Sequence, residues 1–328
     1  MVLESLKRFA SSPFFYLKNP REMVGRVRDV INGSWICMHE RKRILGFRNK
    51  NIVFYIIRPE AAEPGLMSIH NYVLHKISYA VEKGYIPIVD YQNYKNMYLD
   101  NNLLGKVNSW EYFFHQPTQW SLKDVRHSRH VIIGDRYFSA GYYGAEDEKE
   151  IVYFHEMIEK YCVVKEHLAK KIQEAGDMLF PLNAKVLGVV GRGTDYMSLK
   201  PSHHEIVPDV ELLLETVKEK KEQWGYEYVY LATEDRMIYD RMKDEFGDKM
   251  LAYDVPRFDH TVKTVLAEIN LQRENDKYLR GEDYLITVYL LAQCDGIVAP
   301  AVGAALAAIR INGGKYKHKY IFHLGLYE

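Results

Sequence analysis

Apolar and polar positions along this chain repeat one theme twice. Residues 51 to 59, "NIVFYIIRP", form a continuous apolar run ended by Pro59, the pattern of a strand buried on both faces of a parallel sheet. After the Pro64-Gly65 turn, Leu66, Ile69, Val73, Ile77 and Ala80 recur at helical spacing until Gly84, a natural stop. "YIPIVDY" (85 to 91) is a second short apolar segment, so strand, helix and strand within about 40 residues predict one βαβ unit.

The middle is less regular. Trp110, Tyr112, Phe113, Phe114 and Trp120 either close a hydrophobic core or line a sugar site, with core packing preferred. Residues 150 to 176 read as one long surface helix. Its His155-Glu156 is not a zinc pair, because Glu159 stands where the second histidine is needed. "FPLNAK" then breaks the pattern and divides the chain into residues 1–183 and 184–328.

A second alternation follows. Strands are predicted at 186–191, 226–233, 249–255, 295–300 and 319–325. Helices are predicted at 208–224, 234–247, 283–294 and 301–311, the last rich in alanine. Five strands alternating with helices predict a doubly wound α/β sheet with Rossmann-like topology.

Composition narrows the partners. The chain has 328 residues, 47% hydrophobic, enough for a real core, and its 44 Lys plus Arg balance 44 Asp plus Glu, so no global field draws it to nucleic acid. Cys37, Cys162 and Cys294 lack disulfide or zinc spacing. With no secretion signal and no apolar run near the roughly 18 residues of a membrane span, a soluble cytoplasmic protein is expected. Residues 1 to 50 nevertheless hold 11 basic against 4 acidic residues. "LKRFASSPFFYLK" and "ERKRILGFRNK" mix these with Leu, Phe and Tyr, which suits peripheral contact with an anionic membrane or else an ordinary basic face.

In an open parallel sheet, ligands bind beyond the carboxyl ends of the strands. That rule selects Arg192, Gly193, Thr194 and Asp195, then Thr233, Glu234 and Asp235, then the loop leading to Gly303. The first loop has neither dinucleotide nor P-loop glycine spacing and instead presents an arginine, whose planar fork suits a diphosphate. The bland alternative is that Arg192 pairs with Asp195 to fix the turn. Gly303 would let phosphates approach a helix N-terminus, or it only serves tight packing of that helix.

"VVGRGTDY", "VYLATED" and "GEDYLITVYLLAQCDGIVAP", in this order and spacing, resemble the three motifs of the fucosyltransferase superfamily that includes the α1,6-, protein-O- and nodulation-type enzymes. "GLMSIHNYVLHKISYAVEKGYIPIVDY" is similar to the amino-terminal region of the bacterial branch. The resemblance implies a GT-B architecture, two Rossmann-like domains facing a cleft. It further implies inverting, metal-independent transfer of fucose from GDP-fucose to a glycan or lipid-linked acceptor, with no cofactor beyond the GDP-sugar. Residues 1–183 would be the acceptor side and 184–328 the nucleotide-sugar side.

On this resemblance Arg192 matches the donor β-phosphate arginine and Asp195 the acidic end of its motif. Thr233, Glu234 and Asp235 border the nucleotide, and Asp283 lies near the third motif's acidic region, with Thr287 the alternative occupant of the usual aspartate column. The chain departs at Val190, where a histidine is usual, at Gly193, where a second arginine is usual, and at "APAVGAA", in place of a serine-rich stretch. Inversion needs a base near the acceptor hydroxyl, and Asp195, His204 and Glu205 are the choices in sequence. A non-catalytic nucleotide-sugar-binding or scaffold protein of the same fold is the alternative.

Overall fold

The computed structural model describes residues 40–135, 147–202, 204–262, 266, 269 and 271–328. Its first half is a four-stranded sheet built from β1 (Arg41–Arg43), β2 (Arg48–Ile57), β3 (Ile86–Val89) and β4 (Ser128–Ile133), in the order β1-β4-β2-β3. The expected βαβ unit is present: β2 and β3 are parallel and joined by helix α1 (Leu66–Glu82), while a short helix α2 (Leu122–Val125) precedes β4. Two strands lie outside the expectation. β1 is Arg-Lys-Arg, which carries no apolar signal, and it pairs antiparallel at the sheet edge, where both faces need no burial. β4 begins Ser-Arg-His and has only its last half apolar, too short a run to read.

The single helix expected over 150–176 is two, α3 (Glu148–Tyr161) and α4 (Glu166–Leu179). The four residues between them leave the helix to pair with another segment. Val163 accepts from His115 N, Lys165 N donates to Phe113 O, and Phe114 bridges Val164. The aromatic middle is core, not a sugar platform: Trp110, Phe113 and Phe114 are buried, and Trp120 packs edge-on against Phe54.

The second half follows the predicted alternation. A parallel five-stranded sheet, ordered β7-β6-β5-β8-β9, comprises β5 (Val186–Gly191), β6 (Tyr228–Thr233), β7 (Met250–Leu251), β8 (Gly296–Pro300) and β9 (His318–Phe322). Its helices are α5 (Asp195–Leu199), α6 (Val210–Trp224), α7 (Arg236–Phe246), α8 (Asp276–Ala292) and α9 (Gly303–Asn312). Caps set the boundaries. The Asp209 side chain accepts from Leu212 N, and Gly225 ends α6 at φ +69°, a left-handed conformation open to glycine.

Besides the short helix α5, where a loop is expected, two elements depart from expectation. The strand at 249–255 stops at Leu251, because Arg257 turns the chain by donating to the carbonyls of Tyr253 and Val255, and Phe258 then pairs beside Asp235. Helix α8 begins seven residues before the predicted 283. Its first turns carry charged residues held by Arg273 and Arg280 to Asp276, so they show no apolar periodicity.

Alanine-rich α9 lies where the halves meet. Ala304 through Arg310 are all buried, and the helix packs on α1, α3 and α8 at once. Small side chains let it approach three neighbours, and enlarging them would overpack the junction. Arg310, fully buried, reaches from α9 to Glu150 at 2.7 Å and to Asn71.

Candidate functional site

A cavity of about 810 Å³ lies between the halves, at the carboxyl ends of β2, β5, β6 and β8. The strand ends bring part of the expected set together here, while Gly193, Thr194 and Asp235 do not line the cavity. Arg192 and Asp195, Thr233 and Glu234, and Val302 with Gly303 all line this one space. His204 and Asp283 line it as well.

Arg192 is the centre of the arrangement. Its Nη1 donates to Glu234 and its Nη2 donates to Asp195 at 2.9 Å. The guanidinium also sits 4.9 Å from the centre of the Tyr196 ring, and the Tyr196 hydroxyl is 2.7 Å from His204 Nδ1. Burial opposes the charge on Arg192, but the carboxylates of Glu234 and Asp195 outweigh it and hold the guanidinium firmly protonated. The pairing with Asp195 foreseen as a turn fixture is thus present, and Glu234 adds a second partner from the neighbouring strand end.

The backbone beneath Arg192 is held under strain. Thr194 adopts φ +51°, ψ −121°, a region unfavourable for a β-branched residue by roughly 1–3 kcal/mol. The conformation is fixed by Thr194 N donating to Asp235 at 2.9 Å and by its hydroxyl donating to Asp195 and Glu234, both at 3.2 Å. Asp235 is fully buried. It accepts from Thr194 N, caps α7 by accepting from Ile238 N, and lies 2.6 Å from His260 Nδ1, so its oxygens are committed to the scaffold and not to the cavity.

Gly193 carries the main departure from the motif. A Cβ here would lie 2.1 Å from Asp235 Oδ2, so no side chain fits unless the cap of α7 moves. Asp195 accepts from Arg192, Thr194 and Leu266 N, which leaves it a bracing carboxylate. Glu205 bridges Leu326 and does not line the cavity, whereas His204 does.

Three contributors escaped the sequence. Arg273 and Arg280 line the cavity from the start of α8, where Arg273 pairs with Asp283 at 2.9 Å and both arginines bind Asp276. Burial pushes the Asp283 carboxyl up, offset by Arg273. Glu60 follows β2 at the same rim, and the strand-end rule applied to the first half would have found it. Partial burial pushes its carboxyl up while Lys76 pulls it back. The walls carry five carboxylates against three arginines. Among the described residues no three His, Cys, Asp or Glu side chains converge as a metal-binding group.

The N-terminus of α9 borders this space through Val302, Gly303 and Ala304, and no side chain caps it. No protein-family model and no curated protein matches this chain. Among solved structures, an Arabidopsis thaliana FUT1 variant in complex with GDP superposes with a TM-score of 0.50 at 11% identity, over 84% of this chain and 71% of that one. The chain has a fucosyltransferase-like fold. Its two α/β halves facing one cavity are the GT-B arrangement expected from the motifs. Fucosyltransferase NodZ from Bradyrhizobium aligns at TM-score 0.47 and 15% identity, over 78% of this chain and 92% of its own. POFUT1 in complex with GDP aligns at 0.46 and 9%, over 84% of this chain and 100% of its own.

Proposed function

We propose that this protein is an inverting, metal-independent glycosyltransferase that moves a sugar, with fucose from GDP-fucose the favoured donor, onto a glycan or lipid-linked acceptor at the cytoplasmic face of a membrane. Residues 184–328 form the nucleotide-sugar domain and residues 1–183 the acceptor-side domain. The observation that carries this reading is the placement of Arg192 and the N-terminus of α9, with Gly303, on the wall of one cavity between the halves. A guanidinium fork and free helix N–H groups are what a departing diphosphate requires. GDP bound to a structure of the same fold supports the choice of nucleotide.

In this mechanism the donor diphosphate displaces Glu234 from Arg192, and Arg273 supplies the second positive charge that Gly193 lacks. The acceptor oxygen attacks the sugar's C1 as its proton passes to a base, the C1–oxygen bond to phosphate breaks, and GDP leaves with that electron pair. His204, at the cavity wall and linked through Tyr196 to Arg192, is the base we favour over Glu60. Thr194, Thr233 and Asp235 act by shaping the loop around the nucleotide, and Asp283 orients Arg273.

The carboxylates clasping Arg192 favour a second reading, a non-catalytic nucleotide-sugar-binding or scaffold protein. The two separate on one assay. GDP release from GDP-fucose, followed with the anomeric configuration of the released or transferred sugar, is expected to show turnover with inversion, lost in His204→Gln while GDP binding persists. Tight GDP binding without any turnover over a panel of acceptors would favour the scaffold.

A further inference from the structure

The edge of the first sheet far from the cavity carries a feature the donor chemistry does not use. Between β1 and β2, Ile44 is 70% and Phe47 83% exposed, and Leu45 is exposed beside them. They do not sit on a loose loop. Leu45 N and Gly46 N both donate to Ser128 O, at 3.1 and 3.0 Å, and Arg48 N donates to His127 O at 2.8 Å. A Cβ on Gly46 would lie 2.4 Å from His127 O, so the turn is clamped to β4 and holds its apolar side chains outward. Keeping three large apolar side chains in water on a rigid turn is unfavourable unless something covers them.

The surroundings say what that is. Lys42, Arg43, Arg48 and Lys50 flank the turn, and Arg126 and Arg129 flank the segment that anchors it, all exposed. No carboxylate occurs between residues 41 and 59 or between 125 and 134. An apolar tip ringed by cations matches an anionic lipid surface, where the headgroups pair with the basic ring and the tip enters the acyl boundary. Nucleic acid would use the charge and leave the tip in water. Residues 1–39, with six basic and three acidic side chains, do not complement a basic patch.

We infer that the β1–β2 turn, with Ile44, Leu45 and Phe47 at its tip, docks this protein on an anionic membrane. Because the ten residues of β2 separate the turn from the cavity, an extended strand places the two up to about 33 Å apart. Docking here therefore presents the cavity to an acceptor that extends away from the lipid, not to a sugar lying in the headgroup layer. Among the described residues no helix is long and apolar enough to cross a membrane.

Flotation of the full chain with phosphatidylcholine vesicles, and with vesicles containing roughly 30% phosphatidylglycerol, tests this. Each Lys or Arg near an anionic leaflet strengthens binding roughly five-fold. The unsubstituted chain is expected to float with the anionic vesicles only. Binding is expected to fall at least ~10-fold both in Ile44→Ser/Leu45→Ser/Phe47→Ser and in Lys42→Glu/Arg43→Glu/Arg48→Glu. Each variant should keep its thermal midpoint and its stabilisation by GDP, so failure of docking is separable from failure of the donor reading. Vesicle binding unchanged in the serine variant, which would place the contact elsewhere such as residues 1–39, overturns the proposal. So does binding to duplex DNA in preference to anionic vesicles.

Discussion

Gly193 lies so close to Asp235 that a Cβ on the glycine would fall 2.1 Å from the carboxylate oxygen. That oxygen accepts from Thr194 N and faces His260, while the other caps α7, so it has no free direction in which to retreat. Gly193→Ala is therefore expected to destabilise the fold by about 2 kcal/mol or more, through strain and loss of the cap. Urea unfolding monitored by circular dichroism checks this. Unchanged stability would mean that the loop relaxes freely. Gly193→Arg is expected to fare worse and not to add a working second phosphate contact.

Arg192 is shared between Glu234 and Asp195. A ligand must win the guanidinium from a carboxylate, and removing one competing charge favours the ligand. Glu234→Gln keeps an oxygen to accept from Gly193 N and Thr194 Oγ1, so the loop stays in place. Its GDP affinity is expected to rise about 3- to 10-fold at low salt, equivalent to roughly 0.7–1.4 kcal/mol. Calorimetric titration measures it, and a loss of affinity would assign Glu234 a direct contact with the nucleotide.

Acid sensitivity should come from α1. His70 is fully buried with no hydrogen-bond partner for either ring nitrogen among the described residues. Burial, aided by Arg310, lowers its pKa from the usual 6.5 to about 3, and the same causes lower His75 to about 4. The folded state thus holds both neutral where the unfolded chain binds protons. Their contribution is fully present above pH 6.5 and is lost as pH falls toward these lower values, at up to about 1.4 kcal/mol per pH unit for each histidine. His70→Leu is expected to cost less than about 1 kcal/mol at pH 7, since no hydrogen bond is lost, and to gain on the unsubstituted chain as pH drops from 6.5 to 4.5. Parallel stability curves for the two proteins across that range would refute it.

The second half was legible because its strands are continuous apolar runs between glycine, proline and capping residues, as at Val186–Gly191 and Asp209. The loops that close on the cavity were legible through the strand-end rule, which found Arg192 and Glu234 and, applied to the first half, would also have found Glu60. What stayed hidden depends on contacts distant in sequence. The break at Cys162–Lys165 exists because Phe113 and His115 pair there, and the start of α8 is stabilised by Arg273 and Arg280 binding Asp276. The burial of Asp235 was equally hidden. A strand-end carboxylate looks like a ligand contact until the backbone of Thr194 is seen to occupy it.

In the proposed function, Arg192 at the mouth of β5 receives a diphosphate in the cavity between the halves. Calorimetric titration of the protein with GDP, UDP and NAD, repeated with Arg192→Ala, tests it most directly. The expected result is GDP binding that is at least ~100-fold weaker in the variant, matching loss of a charge-assisted bidentate contact, and little binding of UDP or NAD. Equal GDP binding by both proteins, or preference for UDP or NAD, would contradict it.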